Sequence, residues 1–190
     1  MKQYYYLICS LPFIKLEETP SINSGEFRRL CQEQISEKDL QLLDAVSLVP
    51  AKDSPFAKDS SAFLWLVLET NLRKRMAIYR AGRKSGNTSR SMPKGDNFSD
   101  IDQGIQEAYA KSNPAEREKH LDSLRWHWLD ELEFGHYFDV NKLFIYKLRL
   151  LIHEKWLSRN NEHGYENFDR IVAAINDIGE FVDEAITEQN

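Results

Sequence analysis

Apolar residues recur at helical spacing along most of the chain, and the breaks in that recurrence divide it into segments. Residues 3–14 (Gln-Tyr-Tyr-Tyr-Leu-Ile-Cys-Ser-Leu-Pro-Phe-Ile) form an apolar run that reads as a buried strand or a first helix turn, and Pro12 ends it in either case. Residues 15–23 read as loop. Ser24 then caps a helix to about Ile35, with Phe27, Leu30, Cys31 and Ile35 on one face. Ser36, followed by Glu-Lys-Asp-Leu, is a second capping signature and opens a helix to about Val46. The stretch from Pro50 to Lys58 holds two prolines and reads as a linker.

The longest predicted helix runs from about Ser60 to Gly82, with Trp65, Leu68, Leu72, Met76 and Tyr79 as its apolar stripe. Residues 85–99 are polar and of low complexity, which predicts a mobile basic loop over about 83–99. Ser99 or Asp100 begins a short helix to about Lys111. Asn113-Pro114 supplies an N-cap with proline in the first turn for a helix to about Phe134, with Leu121, Leu124, Trp128 and Leu132 inward and Gly135 as its stop. Asp139 caps a helix from Val140 to about Arg159 whose apolar side chains nearly encircle its axis, the pattern of a helix central to a fold. A last helix, about Tyr165 to Glu188, has an apolar stripe from Phe168 to Ile186 and an acidic outer face of Asp169, Asp177, Glu180, Asp183 and Glu184. The expected fold class is therefore all-α. It comprises six or seven helices in a bundle or a repeat array, in one domain over 1–190, with the N-terminal segment open between helix and strand.

Composition supports a packed core: 42% of the 190 residues are hydrophobic and 12% aromatic. Charge changes the picture more. No acidic residue lies between Glu69 and Asp96, where Arg73, Lys74, Arg75, Arg80, Arg83, Lys84, Arg90 and Lys94 sit. The whole chain is net −5 and this island carries +8, so the remainder sums to −13. Arg73, Arg80 and Lys84 form a row beside the apolar stripe, and Arg75 flanks its opposite edge. Solvated helix faces usually interleave both signs as i, i+4 pairs. Their absence from the island points to an anionic partner, or to pairing with the acidic last helix. The acidic balance argues against a general nucleic-acid binder.

Candidate chemistry adds little. Cys9 and Cys31 form no C-x-x-C pair and are too few for a disulfide framework, so a reducing cytoplasm is the expected location. Residues 4–14 lack the small-residue cleavage site of a signal peptide, and no apolar run is long enough to span a bilayer. The five histidines (His120, His127, His136, His153, His163) do not combine with cysteine or carboxylate into a zinc spacing. No Gly-rich phosphate loop and no Gly-x-Ser-x-Gly occurs. No catalytic residue, cofactor or metal is expected. One internal echo stands out: Glu69-Thr-Asn71 and Asp139-Val-Asn141 each place an acid two residues before an asparagine at a helix that leads into a large apolar stretch.

Three segments together carry a resemblance. They are Tyr4-Tyr-Tyr-Leu-Ile-Cys-Ser-Leu-Pro12, Leu68-Glu-Thr-Asn71-Leu-Arg73, and the run from Phe138-Asp-Val-Asn-Lys-Leu-Phe-Ile-Tyr146 to Trp156. The chain resembles an uncharacterised bacterial family encoded in V/A-type ATPase operons, and is distantly similar to the C subunit of that ATPase (the d subunit in eukaryotes). The resemblance implies an all-helical array of degenerate repeats. It also implies a non-catalytic subunit or accessory factor, partnered by stalk or rotor-ring subunits, in the cytoplasm or peripheral at the inner membrane. Asn71, Arg73, Asp139, Asn141, Tyr146 and Trp156 would be its packing or coupling positions. Arg75, Arg80, Arg83 and Lys84 join them as the candidate docking face. The alternative is a nucleic-acid-associated helical protein using the same 73–94 segment.

Overall fold

The computed structural model describes residues 3–51, 53–84, 99–159 and 170. The described residues form seven α-helices and no strand: α1 (Tyr5–Ser10), α2 (Ser24–Gln34), α3 (Glu37–Ala45), α4 (Ser61–Lys84), α5 (Ser99–Ala110), α6 (Pro114–Glu133) and α7 (Val140–Leu157). The all-α expectation holds, and the N-terminal run is a helix. The last expected helix, about 165–188, and most of the 83–99 loop lie outside the described residues. No described helix is long and apolar enough to cross a membrane.

Local chemistry sets the boundaries. The α2 cap is Asn23, one residue before the expected Ser24. Its side chain accepts from the Glu26 amide at 2.9 Å, and the Glu26 carboxylate accepts the Asn23 amide at 3.1 Å, a reciprocal capping box. Ser36 caps α3 through the Asp39 amide. Asn113 caps α6, with Pro114 filling a position whose missing N–H leaves no bond unmade. Just past the end of α6 the backbone reverses at Gly135, where φ is +84°, a conformation that side-chain-bearing residues rarely adopt.

The chain divides into two compact units, Met1–His153 and Glu154–Asn190. In the first, α5 packs along α6, α6 along α4, and α2 touches both α1 and α3. Gly104 allows the close approach of α5 to α6, since a Cβ there would stand 2.7 Å from Cδ2 of Leu124. Most of α7 belongs to this unit and is buried on several sides, with Leu143, Phe144, Ile145, Leu148, Leu150 and Ile152 all essentially inaccessible. Its side chains reach several neighbours. Tyr146 stacks on Phe27 of α2 at 4.9 Å, and Phe144 meets Phe56 of the 46–60 segment at 5.9 Å. Lys147 donates to the Leu43 carbonyl at 2.8 Å and so closes the C-terminus of α3, while Arg149 pairs with α6. The central position expected for this helix is the one it occupies. In the second unit the described residues are the final turn of α7, residues 158–159 and Arg170.

Candidate functional site

The most concentrated charge among the described residues is interior. Glu69, on the apolar stripe of α4, is 1% exposed. Arg125 of α6 reaches it with both arms of its guanidinium, Nε to Oε2 at 2.9 Å and Nη2 to Oε1 at 3.1 Å. The third nitrogen, Nη1, donates to Asp122 at 2.8 Å and to Glu118 at 3.4 Å. Burial alone would favour the neutral form of Arg125, but the hydrogen bonds and charges of Glu69 and Asp122 outweigh it and hold the guanidinium more firmly protonated than usual. This bidentate geometry locks the register of α4 against α6.

A second polar node ties α7 to the start of α4. Asn141 is buried, and its Oδ1 accepts the Ser61 amide at 3.0 Å, one of the N–H groups that the first turn of α4 leaves without a partner in its own helix. Asp139 caps α7 by accepting the Lys142 amide at 3.2 Å and holds the His136 ring at 2.7 Å. Asn141 also approaches His136 at 3.3 Å. Tyr146 donates its hydroxyl to the Pro12 carbonyl at 2.8 Å, and burial raises its pKa to about 12. Two turns past Asn141, Arg149 is buried against Glu133 at 2.7 Å and Asp130 at 2.6 Å, with its guanidinium over the Trp126 ring. Burial pushes Glu133 up, and the hydrogen bonds from Arg149 and Lys142 more than reverse that, leaving it below the usual carboxylate range.

The basic island is not the unpaired face that its sequence suggests. Arg73 donates from Nε to Glu69 at 2.8 Å, so the i, i+4 partner held to be missing is the acid that bounds the island. Arg75 is buried instead of flanking the stripe, and its Nη1 sits 2.6 Å from Asp102 of α5. The two partners lie on α4 and α5; the acidic segment expected to form the last helix lies outside the described residues. Arg80 and Arg83 remain exposed and turn toward Tyr109. Lys84 ends α4. Asn71 donates to the Val67 carbonyl of its own helix at 2.9 Å, whereas Asn141 reaches another helix, so the two asparagines of the echo do different work. Trp156, half-buried in the last turn of α7, has Lys155 and Arg159 against its ring, at 5.6 and 5.0 Å. The structure therefore brings Asn141, Asp139 and Tyr146 into one interior framework, sends Arg73 and Arg75 to carboxylates, and leaves Arg80 and Arg83 at the surface. In the sequence, Glu69 stood out only as the acid of the echo and as a bound of the island, and Asp122, Arg125 and Arg149 were passed over.

Residues 1–52 and 63–178 match the model of a protein family described as a protein of unknown function (DUF2764). The chain belongs to this family. No curated protein and no solved structure matches it. Within the family match lie Glu69, Asp122, Arg125, Asn141, the Tyr109 surroundings and the whole of α7, whereas Ser61 falls in the stretch between the two matched segments.

A cavity of about 230 Å³ opens between the end of α3, the 46–60 segment and the first turns of α4, walled by Val46, Pro50, Phe56 and Trp65, with Asp53 its one carboxylate. No group of three or more side chains able to hold a metal occurs among the described residues. The thiol of Cys31 is buried and its pKa raised to about 12, which leaves it protonated and inert near neutrality.

Proposed function

We propose that this chain is a non-catalytic subunit or accessory factor of a bacterial V/A-type rotary ATPase, acting by docking onto stalk or rotor-ring subunits. The reading rests on one observation: the three segments that resemble the ATPase-associated family are joined in space. The Tyr4 amide donates to the Phe138 carbonyl at 2.6 Å, and the Tyr146 hydroxyl to the Pro12 carbonyl at 2.8 Å, linking the first segment to the third. Asn141 of the third segment receives the first amide of α4, the helix that carries the second. Positions scattered along the chain thus belong to one framework. A binding role instead of a chemical one is supported by what the interior polar groups do. Glu69, Arg125, Asn141 and Arg149 each bond to a second helix, and Asp122 holds Arg125 within α6.

The test is co-purification. The full chain, tagged at its natural expression level, is cross-linked in native membranes and its partners identified by mass spectrometry. Recovery of the ATPase A, B or D subunits is the expected result, with gene neighbours encoding those subunits as an independent check. Repeated capture of the chain without any ATPase subunit defeats the proposal. Recovery of nucleic acid, lost on Arg80→Gln and Arg83→Gln, would instead favour a nucleic-acid-associated role.

A further inference from the structure

Three guanidiniums gather around a single ring on the flank formed by α4, α5 and α6. Tyr109, at the end of α5, packs on Tyr79 of α4 with centroids 4.8 Å apart. The guanidinium carbons of Arg80, Arg83 and Arg117 lie 5.9, 6.0 and 4.6 Å from the Tyr109 centroid. Arg80 also donates from Nε to the Tyr109 hydroxyl, and Arg117 from Nη2 to the Lys111 carbonyl at 3.2 Å. Buried beside them, Nε of Arg117 has no hydrogen-bond partner among the described residues.

The carboxylates nearby are engaged by other groups. Asp102 holds Arg75, Glu107 holds His120 at 3.2 Å and Gln103 at 2.8 Å, and Glu118 contacts Arg125. Glu116, next to Arg117 in sequence, is exposed in the first turn of α6. No ion pair joins Arg80, Arg83 or Arg117 to a carboxylate among the described residues. A tyrosine face attracts cations only weakly at an exposed site, and like charges held together on one ring repel. An anion would complete the arrangement.

We propose that the Arg80–Arg83–Arg117 cluster is a docking site for an acidic peptide segment of a partner protein. Two observations select that partner over other polyanions. Residues 1–69 and 96–153, the rest of the same unit, are net −7 (the −13 outside the island less the −6 of residues 154–190), so an extended phosphate backbone or an anionic bilayer pressed onto this flank meets repulsion beyond the cluster, whereas a short segment does not. The cluster also offers forked guanidiniums from two helices gathered at one ring, and that planar fork matches the geometry of a carboxylate. The inference stands apart from the rotary-ATPase reading: the co-purification test can fail while this site binds, and the reverse.

The experiment is a fluorescence-anisotropy titration of a fluorescein-labelled hexaglutamate peptide with the full chain at about 50 mM salt, where exposed charges are weakly screened. Saturable binding that weakens as salt rises is expected. Arg80→Gln, Arg83→Gln and Arg117→Gln should each lower affinity roughly threefold to tenfold. The triple variant should abolish binding, and Arg28→Gln, which alters an exposed arginine paired with Asp44 on another face, should leave it unchanged. If the triple variant loses its helical circular dichroism, the Arg80→Gln/Arg83→Gln pair, at exposed positions, decides. No saturable binding by the unaltered chain overturns the proposal. So does undiminished binding by the variants, or tighter binding of phosphatidylglycerol vesicles or single-stranded RNA through the same three arginines.

Discussion

Removing Arg125 should be the most damaging single change to the described core. In Arg125→Met the apolar stem is roughly kept and the guanidinium is lost. Glu69, 1% exposed, then loses two hydrogen bonds, of 2.9 and 3.1 Å, and Asp122, equally buried, loses one of 2.8 Å. Breaking a buried pair by removing one partner costs about 3–5 kcal/mol, because the remaining charge stays out of water. Here Arg73 still donates to Glu69 at 2.8 Å, and its side chain is 48% exposed, so part of the charge remains compensated. The loss should fall at the lower end, about 3 kcal/mol. For a chain of this size that is a fall in Tm of roughly 6–12 °C. Urea unfolding followed by far-ultraviolet circular dichroism measures it directly. The double variant Glu69→Leu/Arg125→Met removes both charges, and should be more stable than Arg125→Met alone, since an apolar pair of similar volume often replaces a buried ion pair without loss. A cost below about 1 kcal/mol for Arg125→Met, or strictly additive costs in the double variant, would refute the view that this pair is a buried, coupled unit.

Other consequences follow from single contacts. Asn141→Ala leaves the Ser61 amide buried without its acceptor and should cost about 1–3 kcal/mol, with faster amide hydrogen exchange at the start of α4 as its specific signature. Gly104→Ala should fall within about 1 kcal/mol of the parent in urea unfolding, because the added methyl meets only the movable end of Leu124 while alanine favours the helix; Gly104→Leu should cost several times more by forcing α5 from α6. Burial holds His153 below its ordinary pKa, so the unfolded chain takes up a proton more readily; stability should therefore fall as pH drops through about 6.5 toward the lowered folded value, and His153→Gln should flatten that step in pH-dependent melts. Glu133, held low by Arg149 and Lys142, contributes fully above about pH 4.5 and less as pH falls through its depressed folded value, so Arg149→Met should make acid unfolding less steep.

The helices after the first were legible because they bury stripes at 3.6-residue spacing, and because Ser36, Asn113 and Gly135 punctuate them; the six-residue α1 was too short to tell from a strand, and the α2 cap fell on Asn23 and not on Ser24. The buried charges were harder to see, although the spacing that reveals the stripe contains them. Glu69 lies four residues after Trp65 and three before Leu72, in line with the apolar face of α4. On α6, Asp122 and Arg125 fall between Leu121 and the Trp128-Leu129 pair, on the same inward face. A charged residue at a core-facing position must find an opposite charge or remain unburied. An acid on one stripe and an arginine on another were therefore a legible sign of a shared interior bond. Which helices would meet was not legible, because periodicity fixes the face that turns inward and says nothing of what lies across from it.

The same limit explains the basic island. Counted along the chain, it is one run of cations without acids. Folded, it separates. Arg73 and Arg75 turn to carboxylates at Glu69 and Asp102 and belong to the packing of α4. Arg80 and Arg83, a turn or two further on, pass beyond the reach of those acids and meet Arg117, which comes from the middle of an acidic stretch, Glu116 to Glu118, on α6. In sequence, Arg117 looks neutralised by its neighbours. On a helix, adjacent residues point in different directions, so Glu116 and Glu118 do not share its face, and Arg117 is carried instead onto the Tyr109 ring. The positive site is thus smaller than the island that suggested it. It includes a residue from outside the island, and it is fixed by where α5 and α6 pack against α4.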